Sequence, residues 1–320
     1  MVQEQNPLLA IRCIAYNQEK YIAETLKGFV SQKTTFPFIA IVHDDASNDK
    51  TPEIIKEYTA KFPKIIKPIY EIENQYSKKD GSLNKIMDEA IPASVKYIAY
   101  CEGDDVWVDP LKLQKQYNYL ESHPDYGLCH TNYNVINESG VFIKIPKVTI
   151  YGDNEYLYRM IADGNCIATL TVVLRKSLYD ICPKYYIGMN WAMEDKPTWL
   201  EIAALSKIGY IDEVTSSYRI VKGSASHGRD MRKVMQFATS GFELDNFYDK
   251  KYNLGVNRPK NEFYEYCLKE ALRIGDKKVA RELFTQSIND RSMNLRILFL
   301  FLCAILSFTR VFSIIRALKR

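Results

Sequence analysis

The sequence predicts an α/β protein built on a mostly parallel sheet with helices on both faces. Three observations lead there. Short apolar runs alternate with stretches of helical periodicity from residue 8 to residue 136, the order that right-handed β–α–β units produce. Two of those runs end in carboxylates, Asp44-Asp45 and Glu102-Gly103-Asp104-Asp105, and open α/β sheets bind ligands beyond the carboxyl ends of their strands. The chain is 320 residues long and 47% hydrophobic, large enough to bury a substantial core and too apolar to stay disordered.

Each element has its own signal. Residues 8–16 are apolar except for Arg12 and end at Asn17, the length and look of a buried strand. Residues 18–31 carry Tyr21, Ile22, Leu26, Phe29 and Val30 at helical spacing. A second strand is expected over 38–43. The next helix has a start signal: Thr51 as N-cap, Pro52 at the first helical position and Glu53 in the first turn. A strand over 65–72, a helix over 83–91 and a strand over 95–101 follow. A helix over 110–122 and a strand over 128–136 extend the sheet. Past about residue 140 the alternation weakens. From 231 to 290 the pattern is helical throughout, with Gly275 as a stop between 262–274 and 277–288.

Charge and cysteine usage exclude several classes. With 43 basic against 39 acidic residues the formal charge is +4, too mild for a general nucleic-acid binder. The seven cysteines are scattered, with no C-x-x-C pair, which argues against a disulfide framework or zinc site and for a cytosolic chain. The first residues have no basic segment ahead of an apolar run, so no secretory signal is expected.

The carboxylates suggest chemistry. Parallel strands bring Asp44-Asp45 and Glu102-x-Asp104-Asp105 to one edge, where they repel one another unless something cationic is shared. A hard divalent ion, Mg²⁺ or Mn²⁺, carrying a diphosphate suits such an edge. Either cluster alone is explained as well by turns and helix caps, roles open to Asp45, Ser47 and Asp49. Two clusters on one edge, each after an apolar strand, favour a site.

The motifs resemble a known family. Asp44-Asp45-Ala-Ser47-Asn-Asp49-Lys-Thr51 is similar to the D-D-x-S-x-D-x-T segment of family 2 glycosyltransferases, which have the GT-A fold. Glu102-Gly103-Asp104-Asp105-Val-Trp107 resembles their metal-binding D-x-D segment, and Glu194-Asp195-Lys-Pro197-Thr-Trp199-Leu200 resembles the stretch that carries their catalytic base. The resemblance spans roughly residues 8–228. It implies that Asp45 accepts hydrogen bonds from the base of a sugar nucleotide, a UDP-sugar by the same resemblance, framed by Ala15, Tyr16 and Asn17 with Asp44 beside them. Glu102, a methylene longer than the family's aspartate, would face the ribose next to Gly103. Asp104 would hold the metal and Asp105 would support the site. Asp195 takes the base position, with Glu194 as the alternative. His227 is a further candidate for the metal or diphosphate, and Lys222 and Arg219 are alternative phosphate contacts. Trp107 is expected to pack under its loop, and Thr169 and Thr171 to line an acceptor pocket or simply a strand.

Transfer of a sugar requires neutralisation of the leaving diphosphate, which a metal supplies, and one carboxylate to take the acceptor proton. Inversion needs no second carboxylate as nucleophile. No Q-x-x-R-W segment is present, so one sugar per encounter is expected.

The predicted division is a GT-A domain over 1–228, a helical extension over 229–290 and an apolar, basic helix over 291–320. Residues 297–315 carry one charge, Arg310, and as a helix would run roughly 28 Å. Arg296, Cys303, Ser307 and Arg310 fall on one narrow face, which favours lying in a membrane interface over crossing it; a buried helix is the alternative. Six of the basic residues and no acid lie in 291–320, leaving 37 basic and 39 acidic residues elsewhere. The resulting expectation is a metal-dependent, inverting glycosyltransferase at the cytoplasmic membrane face, using a glycan or lipid-linked acceptor. A sugar nucleotidyltransferase and a non-catalytic nucleotide-sugar-binding scaffold are the rivals.

Overall fold

The computed structural model describes residues 6–182, 191–193, 195–221 and 230–306. The chain forms two compact units, one of residues 1–190 and 195–220, the other of residues 191–194 and 221–320.

The first unit opens with β1 (Leu9–Ala15), α1 (Ile22–Val30), β2 (Phe38–Asp44), α2 (Thr51–Lys61), β3 (Ile66–Tyr70), α3 (Ser82–Glu89) and β4 (Tyr97–Tyr100). It continues through β5 (Val106–Trp107), α4 (Lys112–Ser122), β6 (Tyr126–Asn137), β7 (Phe142–Lys144) and α5 (Tyr156–Ala162). A 3₁₀ turn (Thr169–Thr171), β8 (Val173–Arg175), α6 (Lys176–Tyr179), α7 (Asp195–Leu205) and β9 (Lys207–Ile220) complete it.

The sheet order is β3-β2-β1-β4-β8-β6-β9-β5, with β7 on β6. The half from β3 to β4 is parallel. Its inner strands read as largely apolar runs because helices cover both faces: every residue of β2 and β4 is buried, as are six of the seven in β1, whereas edge strand β3 buries only Ile66. In the other half β8 runs antiparallel to β4 and β6, β5 runs antiparallel to β9, and the long β6 and β9 pair in parallel. This half is where the sequence alternation fades, since β5 and β8 are only two and three residues long and carry too few positions to show a period.

The register serves the carboxylates. Ala15 pairs with Asp44 and Arg12 with Tyr100, so residues 15–18, 44–47 and 102–105 leave the sheet side by side. Arg12 is spent inside the fold, its guanidinium on Asn84 and over the rings of Tyr100 and Tyr179.

The second unit is helical: α8 (Met231–Tyr252), α9 (Lys260–Ile274), α10 (Lys277–Asn289) and α11 (Leu295–Leu306). Asp230 caps α8 and Asp276 caps α10 through their side chains. Gly275 ends α9 with a positive φ of 86°, the stop expected from the sequence. Tyr264, Leu268, Leu272, Leu283 and Ile297 build the core, and Phe284 stacks on Phe301 at 4.1 Å.

α11 departs from the expectation for the tail. Ile297, Leu300, Cys303 and Ala304 are buried in that core, while Leu295, Phe299 and Leu302 are exposed. Cys303, assigned from the sequence to a polar face with Arg296, thus lies on the packed face, because the unit's other helices supply apolar surface to cover it. No helix among the described residues is long and apolar enough to cross a membrane. Residues 307–320, with Ser307 and Arg310, lie outside the described residues.

Candidate active site

The loop after β1 is held by the segment after β2, one hydrogen bond per motif residue. Ser47 Oγ accepts from the Asn17 amide at 2.9 Å, Thr51 Oγ1 from Gln18 at 2.7 Å, and Asp49 Oδ2 from Glu19 at 3.0 Å. Asn17 returns the contact, its Oδ1 accepting from the Asn48 amide at 2.9 Å. Asn17 (φ 53°) and Ala46 (φ 62°) adopt left-handed backbone to make the fit. The spacing of Ser47, Asp49 and Thr51 is therefore what lets their oxygens reach three consecutive amides. Thr51 does not cap its own helix as expected; Asp49 Oδ1 accepts from the Thr51 amide at 2.9 Å, which frees the hydroxyl for Gln18. Burial pushes the Asp49 carboxyl up, but the hydrogen bonds from Thr51 and Glu19 outweigh it and hold the group below the usual range.

Asp45 and Asp44 differ in their surroundings. Both oxygens of Asp45 accept backbone amides, Gln75 at 2.6 Å and Tyr76 at 3.1 Å, and its own amide donates to the Ala15 carbonyl at 2.9 Å. At 1% exposure it anchors the turn after β3, and it has less to offer a nucleobase than the sequence suggested. Asp44 is 3% exposed, and its Oδ1 is buried without a hydrogen-bond partner. Burial raises its carboxyl, with Ser47 partly offsetting the shift. Of the two aspartates, Asp44 carries the unused acceptor. Tyr16 is exposed and Ala15 fully buried.

The acidic loop after β4 folds onto the same edge. The Gly103 amide donates to the Ile14 carbonyl at 3.0 Å. A Cβ on Gly103 would stand 2.1 Å from Gln18 Oε1 and 3.0 Å from the Ala15 Cβ, so a larger residue would have to displace the Gln18 side chain and crowd Ala15. Thr25 Oγ1 donates to the carbonyls of Gly103 and Asp105 at 2.9 and 2.7 Å. Glu102 is half-buried.

Arg219, at the end of β9, ties the loop down. Its amide donates to Asp105 Oδ1 at 2.9 Å and its Nε to the Asp104 carbonyl at 2.8 Å. Nη2 pairs with Glu24, Nη1 reaches the Glu138 carbonyl at 3.3 Å, and the guanidinium lies 4.9 Å from the Tyr21 ring centre. Arg219 is 3% exposed, so the expectation that it meets phosphate gives way to a structural role. Burial, then Asp104, drives the Asp105 carboxyl well up. Burial raises Asp104 too, with Arg219 opposing, and no hydrogen bond from another described residue occupies the Asp104 carboxylate.

Trp107 packs as expected, 3% exposed, with Nε1 donating to the Leu170 carbonyl at 2.9 Å. Lys112 is completely buried, its ammonium on Gln116 and the Thr171 carbonyl and 4.8 Å from the Trp107 ring centre. Burial pulls that lysine down to about 7. Residues 169–171 form a 3₁₀ turn rather than a strand, with Thr171 buried. The sequence reading missed the consequence: Thr169 Oγ1 donates to Asp195 Oδ2 at 2.6 Å. The other oxygen, Oδ1, accepts the Lys196 amide at 2.7 Å at the start of α7. Glu194, Lys222 and His227 lie outside the described residues.

The chain is similar to known proteins. The sequence matches the family described as glycosyl transferase family 2 over residues 12–182. A glycosyltransferase of Methanocaldococcus jannaschii is 36% identical over 225 residues, 69% of this chain and 73% of that one. A protein of Mycobacterium tuberculosis is 36% identical over 66% of this chain; the match spans only 58% of that relative's length. The Escherichia coli enzyme named UDP-Glc:alpha-D-GlcNAc-diphosphoundecaprenol beta-1,3-glucosyltransferase WfgD is 25% identical over 77% of this chain and 90% of its own. Among solved structures, Staphylococcus aureus TarS 1-349 in complex with UDP-GlcNAc superposes with a TM-score of 0.54 at 15% identity, covering 95% of this chain and 92% of that one. The Pyrobaculum calidifontis mannosyltransferase in complex with GDP-Man and Mn²⁺ gives 0.53 at 13% identity, covering 94% and 86%. The fold is GT-A with added C-terminal helices, and the chain belongs to glycosyl transferase family 2, a family of transferase enzymes.

Proposed function

We propose that the protein transfers one sugar, with inversion, from a nucleoside-diphosphate sugar, a UDP-sugar by analogy with WfgD and TarS, to a hydroxyl of a glycan or lipid-linked acceptor. One observation carries the reading. The loops after β1, β2 and β4 are hydrogen-bonded into a single edge, through Asp45 to Ala15 and Gly103 to Ile14, so a nucleotide framed by residues 15–17 would present its diphosphate to the acidic loop. Asp44, with its unpartnered oxygen, is our candidate for the nucleobase contact, supported by Asp45; Glu102 is assigned to the ribose.

No group of three His, Cys, Asp or Glu side chains that could cage a metal occurs among the described residues. Asp104, with its carboxylate uncommitted and its loop pinned by Arg219, fits an ion that completes its shell with substrate oxygens, as Mg²⁺ and Mn²⁺ do in phosphate chemistry. Such an ion supplies charge neutralisation for the departing diphosphate. Asp195 takes the acceptor proton as the hydroxyl oxygen bonds to the anomeric carbon and the bond to the diphosphate oxygen breaks. Thr169 keeps Asp195 Oδ2 oriented and Arg219 keeps the loop's shape.

We assign the tail to a membrane surface at its cytoplasmic face, through the exposed Leu295, Phe299 and Leu302 and the six basic residues of 291–320. Flotation with anionic vesicles, lost on deleting residues 307–320, tests it; flotation unchanged by the deletion counts against it.

Titration calorimetry with a panel of sugar nucleotides and Mn²⁺ tests the main reading. One donor is expected to bind only with metal and to hydrolyse slowly. Asp195→Asn should keep that binding and lose about 10²–10⁴ in transfer rate. Absence of binding by every donor would refute the function.

A further inference from the structure

A cavity of about 370 Å³ opens in the first unit beside the turn that holds Asp195. Tyr133, Tyr151, Thr149, Lys147 and Asp163 supply most of its chemistry, and the chain from Gly164 to Ala168 forms one wall. That volume falls in the range of small-molecule sites, roughly 300–1,000 Å³.

The wall is a built structure. Gly164 takes a φ of 102°, open to glycine and strained for other residues. Asn165 folds back on its own chain, Oδ1 accepting the Ile167 amide and Nδ2 donating to the Ile167 carbonyl, both at 3.1 Å. The wall then runs through Ala168 into Thr169, whose hydroxyl is on Asp195. Gln116 Nε2 at 2.8 Å and Lys112 Nζ at 3.2 Å fix the Thr171 carbonyl, and Trp107 fixes that of Leu170. Tyr133 pairs across the sheet with Ser216 of β9, which in turn pairs with Trp107, two residues after Asp105; burial raises its phenol, and the Asp105 charge adds to the shift. The cavity therefore touches the support of the proposed base and the neighbourhood of the proposed metal loop at once.

We propose that this cavity binds the terminal pyranose of the acceptor and presents its hydroxyl to Asp195. The tyrosine rings offer apolar faces to the C–H side of a sugar ring. Asp163, Thr149 and Lys147 offer acceptors and donors for its hydroxyls. The assignment rests on Asp195 as base for its catalytic meaning, but occupancy of the cavity is measurable without catalysis.

Cys166 lines the cavity and is the one cysteine of the seven that is not buried. Burial drives its thiol up to about 12, so alkylation of the full-length protein is slow and best followed above neutral pH. Methyl pyranosides, octyl pyranosides and octanol serve as probes, with no donor present. Protection of Cys166 by methyl and octyl pyranosides alike, threefold or more in rate, supports a sugar site served by soluble glycans. Protection by octyl pyranosides alone, with octanol inert, supports the same site served by lipid-linked glycans. Protection by octanol, or by none of the three, overturns the proposal.

A second arm tests coupling to transfer without a folding risk. Attaching a bulky maleimide to Cys166 after folding should lower transfer more than tenfold while metal-dependent donor binding stays within twofold. Treated Cys166→Ser protein should be unaffected. Unchanged transfer, or an equal fall in donor binding, overturns the assignment. If the untreated protein binds no sugar nucleotide, the function proposed above fails, and the protection result still decides whether a pyranose enters the cavity.

Discussion

The ends of β2 and β4 each carry an aspartate pair, and each pair divides its labour in the same way. The second member is bound to backbone: Asp45 to the amides of Gln75 and Tyr76, Asp105 to the amide of Arg219. The first member keeps acceptor capacity: Asp44 through its buried, unpartnered Oδ1, and the half-buried Asp104 through a carboxylate that no other described residue hydrogen-bonds. Buried polar groups are normally satisfied, and one that is not needs an explanation. For Asp44 the nucleotide proposed above would be that explanation, and Asp104 at the other strand end is open to the same ligand. Adjacent aspartates look equivalent in a sequence, but one builds the edge and the other is left to use it.

Substitutions can break or sharpen that division. The largest effect is expected from Asp104→Asn, which should abolish metal-dependent donor binding, a loss of more than about 100-fold in transfer, with a melting temperature close to that of the parent. Calorimetry with Mn²⁺ and a thermal melt check both halves. Arg219→Met should instead loosen the loop, costing about 1–3 kcal/mol because the Asp104 carbonyl loses the Nε donor and Glu24 its ion pair, while the residue-219 amide stays on Asp105; urea denaturation measures it. Retention of full stability would mean that the loop does not depend on Arg219.

Asp45→Ala should cost about 2–3 kcal/mol, since two amides lose their acceptors, whereas Asp44→Asn should leave stability nearly unchanged and weaken donor binding. The reverse pattern would exchange the roles of the two residues. The smallest effect concerns pH. His130 is 1% exposed, and burial lowers it to about 3. Its depressed pKa means that the unfolded chain binds the extra proton first. Stability is therefore full above the unfolded pKa near 6.5 and falls as pH drops toward 3, by about 2 kcal/mol at pH 5. His130→Phe should flatten that part of the pH–stability curve measured by urea denaturation.

The parallel half of the sheet was legible because β1, β2 and β4 are buried on both faces and announce themselves as apolar runs. The half built from β5 and β8 was not, since strands of two and three residues have no period to read. Within the site, the motif positions were legible but not their division of labour. Asp45 and Asp44 are separated by the amides of residues 75 and 76, which no local pattern foretells. The Thr169–Asp195 hydrogen bond joins residues 26 apart, and only the turn pinned by Trp107, Gln116 and Lys112 brings them together. The packed face of the tail was not legible because apolarity alone does not distinguish lipid from a protein core. Ile297, Leu300, Cys303 and Ala304 found their cover in neighbouring helices.

Trp107 begins two residues after the acidic loop and ends, through Nε1, on the carbonyl of Leu170, next to the residue that orients Asp195. It is a rigid indole with Phe29 edge-on at 5.0 Å and Lys112 over its face. Under the proposed mechanism the two reacting partners would thus be gauged from one machined part rather than from two separately sprung arms, and an error in setting one would be carried to the other. For the proposed displacement, whose rate would be sensitive to misplacements of about 1 Å, that shared datum is a tolerance specification: the gap between donor and acceptor would be set when the core packs, before either molecule arrives.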